Sequence, residues 1–219
     1  IIATGTECTG SKINDRPDEQ IPDPPLVDDD VNRRIEEYSN PLPGSSTISS
    51  GNYIVDSDRS LTSDITFDTT GGPVDIAVNR SDQLLFTSMN IEVVGTSPVR
   101  IYSGNSTTGI DNIPKVEFDD VEMDVEDDRT DLFSVLFSST SDPDQTNMTI
   151  QDGTEFYGTV YAPDMENMYI GGSDVHGAVV TGEAKITNSG IHYDQRLRDP
   201  RAEGVSAVNY LHVTDNRVR

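Results

Sequence analysis

Two histidines, His176 and His192, lie sixteen residues apart, and each follows a branched apolar residue. Imidazole is the side chain that titrates nearest neutral pH, so it serves as a general acid or base, and it is also a common zinc ligand. The pair therefore raises proton transfer and metal binding as candidate chemistries. A third interpretation is structural, because a residue type that recurs at a fixed spacing also marks a repeated unit.

The segment around these histidines repeats itself. Shifting the chain by sixteen residues lays "YIGGSDVHG" on "KITNSGIHY", which pairs Ile170 with Ile186, Ser173 with Ser189, Val175 with Ile191 and His176 with His192. One unit earlier, "TIQDGTEFYGTVYAP" follows the same plan, with Ile150 matched to Ile170, Phe156 to Val175 and Gly158 to Gly177. A fainter echo upstream places Pro73 with Pro98 and Ile76 with Ile101.

Coils of roughly 16 to 26 residues with apolar positions in register predict an all-β protein, a parallel β-helix (solenoid). A β-sandwich of antiparallel hairpins is the alternative fold. In the solenoid, equivalent residues of adjacent coils stack about 4.8 Å apart. Phe156, Val175 and Ile191 would then form an inward column, and Tyr157, His176 and His192 the neighbouring outward column.

The outward column could be either a zinc site or a structural ladder of stacked rings. Together with a carboxylate such as Asp174 or Asp194, the two histidines are candidate zinc ligands. No third ligand is fixed by spacing, however, and ladders of stacked rings are common on parallel strands. We therefore favour a structural ladder over a metal site, and we predict no metal and no cofactor.

The chain divides into three parts. Residues 1–47 form an extended lead segment rich in proline and aspartate, with one short helix at about residues 28–39, where Val31, Ile35 and Tyr38 follow helical spacing. We expect that helix to lie over the end of something larger. Residues 48–204 form the β-helix, and residues 205–219 form a C-terminal strand that packs on the domain or on a neighbour.

The alternation in residues 121–126 predicts a strand and shows which of its side chains are buried and which are exposed. In "VEMDVE", Val121, Met123 and Val125 alternate with three acidic residues, as in a strand with one buried face. The acids lack the aspartate and glycine spacing of a calcium loop, so we interpret them as a hydrated strand face rather than a calcium site.

The chain is strongly acidic, with a formal net charge of −24 from 39 acidic and 15 basic residues, only three of them lysines. Phosphate backbones and anionic lipids are poor partners for such a surface, so nucleic acid is excluded as an expected partner. The composition suits molar salt, in which charge repulsion is screened over about 3 Å, and we predict a halophilic protein. An ordinary acidic protein or a disordered acidic chain is the alternative.

Several further classes lack their signatures. Cys8 is the only cysteine, so no intrachain disulfide and no cysteine-based zinc cluster can form. No run of eighteen apolar residues and no basic, apolar leader occurs, so we expect membrane contact only through an anchor that this chain lacks. Neither G-x-S-x-G nor a phosphate-binding G-x-x-x-x-G-K-[ST] loop is present, and no catalytic residue is predicted.

Three N-x-S/T sequons, at Asn79, Asn105 and Asn147, stand in or beside predicted turns and are candidate glycosylation sites. They favour a location outside the cell.

The strings "FYGTVYAP", "VHGAVV" and "IHYDQRL" resemble a β-helical domain found in haloarchaeal surface (pilin-like) proteins and in bacterial proteins associated with type IV pili. "GGPVDIAV" and "SPVRIYSGN" resemble earlier coils of the haloarchaeal version, and "NYLHVTDNRV" resembles its closing strand. The resemblance covers about residues 48–219. It implies an exported envelope domain without an established enzymatic activity.

Two functions remain from the sequence. The first is a non-enzymatic structural or adhesive protein of the haloarchaeal cell surface, extracellular and associated with pili or filaments, with protein partners, self-association or glycan contact. The second is a β-helix that binds or cleaves polysaccharide with carboxylates on an outer face. Uronate lyases also need basic groups, and Arg100, Lys115, Arg129 and Lys185 are scattered in the sequence, which favours the first function.

Overall fold

The computed structural model describes residues 27–104, 115–138, 148–163, 165, 168–194 and 197. One α-helix, α1, spans Val27–Glu37. The strands, in chain order, are β1 (Thr47–Ser49), β2 (Gly51–Val55), β3 (Arg59–Leu61), β4 (Ile65–Asp68), β5 (Val74–Val78), β6 (Gln83–Val94), β7 (Val99–Ser103), β8 (Lys115–Val125), β9 (Phe133–Phe137), β10 (Met148–Gln151), β11 (Glu155–Ala162), β12 (Met168–Gly171), β13 (Asp174–Thr181), β14 (Ala184–Thr187) and β15 (Gly190–Tyr193).

Every pair that these strands form is parallel, and the strands stack into three faces. Face 1 contains β1, β4, the second halves of β6 and β8, the first halves of β11 and β13, and β15. Face 2 contains β2, β5, β7, β9 and the second halves of β11 and β13. Face 3 contains β3, the first halves of β6 and β8, β10, β12 and β14. The described strands thus build six coils and the first strand of a seventh. The predicted all-β parallel β-helix is confirmed, and the β-sandwich is wrong.

The register follows the apolar pattern of the sequence. The matched pairs that lie within strands are register neighbours on adjacent strands, including Ile150 with Ile170, Val175 with Ile191 and Ile76 with Ile101. Alternate side chains of a strand point to opposite faces, so in-register strands stack their apolar residues in the interior. One such column on face 3 consists of Leu61, Phe86, Phe118, Ile150, Ile170 and Ile186.

Phenylalanines fill the middle of the solenoid. The Phe118 ring stacks on Phe86 with centroids 4.9 Å apart, and it meets Phe156 edge to face at 5.1 Å. Phe133 completes the group, 6.0 Å from Phe118 and 5.9 Å from Phe156. All four side chains are fully buried. Stacked and edge-to-face rings stabilise a core beyond the area that they bury.

Two of the central coils are longer than the sequence predicted. Val99 pairs with Phe133, and Leu84 pairs with Val116, so these coils exceed the upper limit of about 26 residues set by the recognisable repeats. Part of the extra length lies between β8 and β9, at residues 126–132. The strands therefore keep the repeated apolar pattern, whereas the segments between them vary in length. The fixed spacing that reveals the other coils in the sequence is absent from these two.

One corner is built the same way in successive coils. At the passage from face 3 to face 1, the backbone turns through a residue in the left-handed conformation, with φ of 49° at Ser88, 54° at Asp120, 55° at Asp152, 65° at Gly172 and 51° at Asn188. The neighbouring register pairs place these residues above one another. Glycine, asparagine and aspartate tolerate this conformation best, which explains their recurrence here.

Gly177 marks a second corner, between faces 1 and 2. Its φ is 138°, and a Cβ atom added there would lie 1.9 Å from the carbonyl oxygen of Gly158 on the adjacent strand. Backbone cannot move aside as a side chain can, so only glycine fits.

We expect Gly177→Ala to lower the free energy of unfolding by about 2 kcal/mol, because it adds backbone strain to a steric overlap. Urea unfolding in molar salt measures the change. Gly44→Ala is the matched control, since its Cβ would approach only the end of the Arg59 side chain at 3.2 Å. Equal losses in the two variants would contradict the expectation.

The two ends of the solenoid differ. At the first coil, the amide of Leu42 donates to the carbonyl of Ile54, whose own amide donates to Asn40, and the buried Leu42 side chain covers the core. At the last coil, Ile191 is 40% and Tyr193 37% exposed. The inward column of Phe156, Val175 and Ile191 exists as predicted, but Ile191 is not buried, because no described strand lies beyond β15.

Helix α1 packs on the outer surface of face 2 rather than over an end of the solenoid, which corrects the expected position. Val31 and Ile35 are buried against Ala77 and Tyr102, on β5 and β7. The helix begins and ends within two residues of the predicted range. Its apolar stripe therefore packs on an apolar patch of the outer surface of face 2.

Candidate functional site

The predicted outward ladder is present on face 1. The rings of Tyr157 and His176 stack with centroids 4.5 Å apart and an interplanar angle of 10°, and those of His176 and His192 stack at 4.7 Å and 17°. Register pairing of β11, β13 and β15 holds the three residues on adjacent strands. The spacing of parallel strands therefore brings the two candidate histidines together, as the repeat predicted.

The stacking also limits what the histidines can do. Two imidazole nitrogens bound to one tetrahedral zinc lie about 3.3 Å apart and point to a common centre, whereas nearly parallel stacked rings direct their nitrogens alongside each other. Among the residues that the structure describes, no group of three or more His, Cys, Asp or Glu is placed to hold a metal ion. The arrangement fits a ladder of rings.

The two candidate carboxylates have separate partners. Asp174 Oδ1 lies 3.5 Å from His192 Nε2, and both side chains are more than half exposed. Asp194 Oδ2 accepts a hydrogen bond of 2.8 Å from the Thr130 hydroxyl. A contact of this kind between two exposed side chains contributes at most about 1 kcal/mol, so it is a minor source of stability for the last coil.

We expect calorimetric titration of the protein with zinc in molar salt to give heats of dilution only. We expect His192→Ala to lower the free energy of unfolding by less than about 1 kcal/mol, because it removes one stacking contact at an exposed edge. Tight, stoichiometric zinc binding that is lost in His192→Ala would contradict the ladder and restore the metal site.

An open groove of about 420 Å³ lies at the corner between faces 3 and 1. Four carboxylates line it, those of Asp64, Asp120, Glu122 and Glu155, and its charged residues are all acidic. Glu122 and Glu155 are register neighbours, and the amide of Asn90 donates to Asp64 at 2.9 Å. Glu122 was predicted as part of a hydrated strand face, and it is exposed, as are Asp124 and Glu126. Glu122, Asp64 and Glu155 come from different coils and meet at the groove only in the folded chain, so the local sequence did not predict their proximity.

Three of the four basic residues considered for uronate recognition contact other parts of the solenoid. Arg129 forms two hydrogen bonds with Asp131, of 3.1 and 2.6 Å, and Lys185 Nζ lies 5.7 Å from the centre of the Tyr169 ring. Arg100 lies beneath α1. None of these three lines the groove. None of the described residues that line the groove is therefore basic, whereas recognition of an acidic sugar requires a basic group.

A second polar cluster lies beneath helix α1, and the sequence did not indicate it. Asp75 of β5 points outward yet is only 5% exposed, because α1 covers it. Its Oδ2 accepts hydrogen bonds from Arg34 at 3.1 Å and from the Tyr38 hydroxyl at 3.3 Å, and Arg100 Nε lies 3.4 Å from Oδ1. The Arg34 guanidinium also sits 4.3 Å from the centre of the Tyr102 ring.

The electrostatics of this cluster favour keeping α1 in place. Burial, with the Asp75 carboxylate nearby, raises the pKa of Tyr102 to about 12, so this tyrosine stays neutral through the physiological range. On the exposed side of the same helix, burial works against ionisation of Asp30, but hydrogen bonds from Arg34 and Arg33 hold its pKa below the usual value. The cluster therefore joins the helix to face 2 through buried polar contacts.

Of the three predicted glycosylation sites, Asn79 lies at the turn that follows β5, half-buried, with its Oδ1 accepting from the Arg80 amide at 2.9 Å. Burial, together with Asp58 and Asp56, raises the pKa of the neighbouring Asp82, against a hydrogen bond from the Asn79 side chain. Asn105 and Asn147 lie outside the described residues.

No helix within the described ranges has the length and apolar character needed to span a bilayer. A family model described as a domain of unknown function (DUF7305) matches residues 10–200 of the chain. Neither a curated protein nor a solved structure matches it.

Proposed function

The chain belongs to the DUF7305 family, and because that membership carries no known activity, we propose from its own surface that it is a non-enzymatic structural or adhesive protein outside a haloarchaeal cell. In this proposal the protein acts through the area of its stacked coils, in association with pili or filaments. Its partners are other surface proteins, further copies of itself, or glycans.

The observation that supports the proposal is the charge pattern of face 1. The solenoid displays an outward column of Asp64, Asn90, Glu122, Glu155 and Asp174, one residue from each successive coil. Carboxylates at strand spacing repel each other in dilute buffer and are screened in molar salt, in which the Debye length is about 3 Å. A surface of this kind binds water and cations and suits permanent exposure to brine.

Protease treatment of intact haloarchaeal cells that produce the protein, in molar salt, tests the location. We expect peptides of this chain in the supernatant before lysis, while peptides of a cytoplasmic control protein appear only afterwards. A strain that lacks the protein should adhere less to surfaces and to other cells. Release of peptides only after lysis, or unchanged adherence, would count against the proposal.

The carboxylate groove supports a second candidate, a polysaccharide-binding or polysaccharide-cleaving β-helix. Glycoside hydrolysis needs two carboxyl groups on either side of the scissile bond, and Glu122 and Glu155 are register neighbours in an open groove. The all-acidic lining favours a neutral or cationic sugar over a uronate.

Incubation with haloarchaeal exopolysaccharides and measurement of new reducing ends separates the two functions. Cleavage that falls in Glu122→Gln and Glu155→Gln but persists in Glu92→Gln, a face 1 variant outside the groove, would favour the enzyme. If the unmodified protein releases no reducing ends, the cleavage activity is excluded for these substrates and the structural function is favoured.

A further inference from the structure

The last described strand of the solenoid ends with an open edge. β15 pairs with β13 on one side, and no strand among the described residues pairs with it on the other. Ile191 and Tyr193 of β15 are the large hydrophobic side chains that the described residues leave exposed. Unpaired amides and carbonyls beside apolar side chains are a template for one more strand.

The sequence contains a segment that fits this edge. All three histidines of the chain follow an apolar residue: Val175 before His176, Ile191 before His192, and Leu211 before His212. The step from Ile191 to Leu211 equals the step from Ile150 to Ile170, which are register neighbours on β10 and β12. A coil of that length is therefore already present in this solenoid.

We propose that residues 210–213 of the same chain add to β15 as a parallel strand, with Leu211 on Ile191 and His212 on His192. In this register, Leu211 and Val213 cover the two exposed apolar side chains of β15. The ring ladder of Tyr157, His176 and His192 gains a fourth member. A slip by one residue would turn Leu211 to solvent and bury His212, so the apolar pattern selects this register.

The same molecule can supply the segment. Leu197 is buried against Tyr161 and Ala178 on the outer surface of face 2, which fixes the chain beside the last coils. The residues from Leu197 to Tyr210 can span up to about 40 Å, enough to return to the adjacent edge. A tethered strand also has an effective concentration in the millimolar range, which a second copy in dilute solution does not reach.

The net charge of the C-terminal segment also favours docking. Residues 195–219 contain five arginines against three acidic residues, whereas residues 1–194 contain ten basic against 36 acidic residues. The C-terminal segment is therefore positive on balance, and the rest of the chain is strongly negative. Attraction between the two favours docking of the segment onto the solenoid, and this contribution is largest at low ionic strength.

Hydrogen exchange followed by mass spectrometry on the full chain in molar salt tests the proposal. We expect the amides of residues 210–213 and of β15 to exchange about tenfold or more slowly than in an unstructured peptide, at every protein concentration. Leu211→Asp should accelerate exchange in both segments. Thr214→Asp, just beyond the proposed strand, is the matched control and should leave both slow.

The peptide around Phe118 reports whether each variant still folds. Fast exchange at residues 210–213 in the unmodified chain would overturn the proposal. Slow exchange that depends on protein concentration, with dimers by light scattering, would show that a second copy occupies the edge. Acceleration confined to residues 210–213 in Leu211→Asp would place that strand elsewhere.

Discussion

Replacing Phe118 with alanine is expected to lower the free energy of unfolding by about 3–5 kcal/mol, because the truncated side chain leaves a cavity that three other rings line. Phe86 loses its stacking partner, and Phe133 and Phe156 lose an edge contact. Coils of a solenoid stabilise one another, so a cavity in the middle weakens the coils on both sides. Urea unfolding in molar salt, monitored by circular dichroism, measures the loss.

Asp124→Ala is the control for this experiment. Asp124 lies on the same strand, β8, but it is exposed on the outer surface. We expect the control to change stability by no more than about 0.5 kcal/mol, as is usual for exposed positions. A loss at Asp124 equal to that at Phe118 would show that the aromatic group does not govern stability.

Removing the carboxylate beneath the helix is expected to have an effect of similar size. Asp75→Ala leaves Arg34 and Arg100, two partly buried guanidinium groups, with no anion between them, and removing one partner of a buried ion pair costs about 3 kcal/mol. The helix can escape this cost by leaving face 2. We therefore expect faster hydrogen exchange at the amides of α1, together with lower stability in urea.

Asp30→Ala provides the matched comparison, because Asp30 is the exposed partner of the same Arg34. Its loss should cost about 1 kcal/mol or less, since the pair is screened by solvent. If Asp75→Ala leaves exchange in α1 unchanged, the apolar contacts of Val31 and Ile35 alone hold the helix, and the ion pairs are incidental.

The fold could be predicted because similar side chains recur at a fixed spacing in successive coils. Val175, Ile191 and the two histidines revealed the last coils, since stacking in-register requires similar residues at each step. The central coils stayed hidden, because the longer connections of those coils break the fixed spacing between Leu84 and Val116.

The surfaces were harder to predict, because they depend on what covers each strand. Asp75 occupies an outward position and becomes buried only through α1, so its own strand gives no signal. Asp64, Glu122 and Glu155 come from three coils and meet only after stacking. Ile191 follows an inward pattern, yet it is exposed because the described coils end there.

The corner of left-handed residues, from Ser88 through Asn188, has an evolutionary consequence. Because each turn re-enters face 1 with the same backbone geometry, a gene duplication that copies one complete turn would insert it without disturbing the turns on either side. Relatives should then differ in length by whole turns, while shorter insertions accumulate only in the connecting loops.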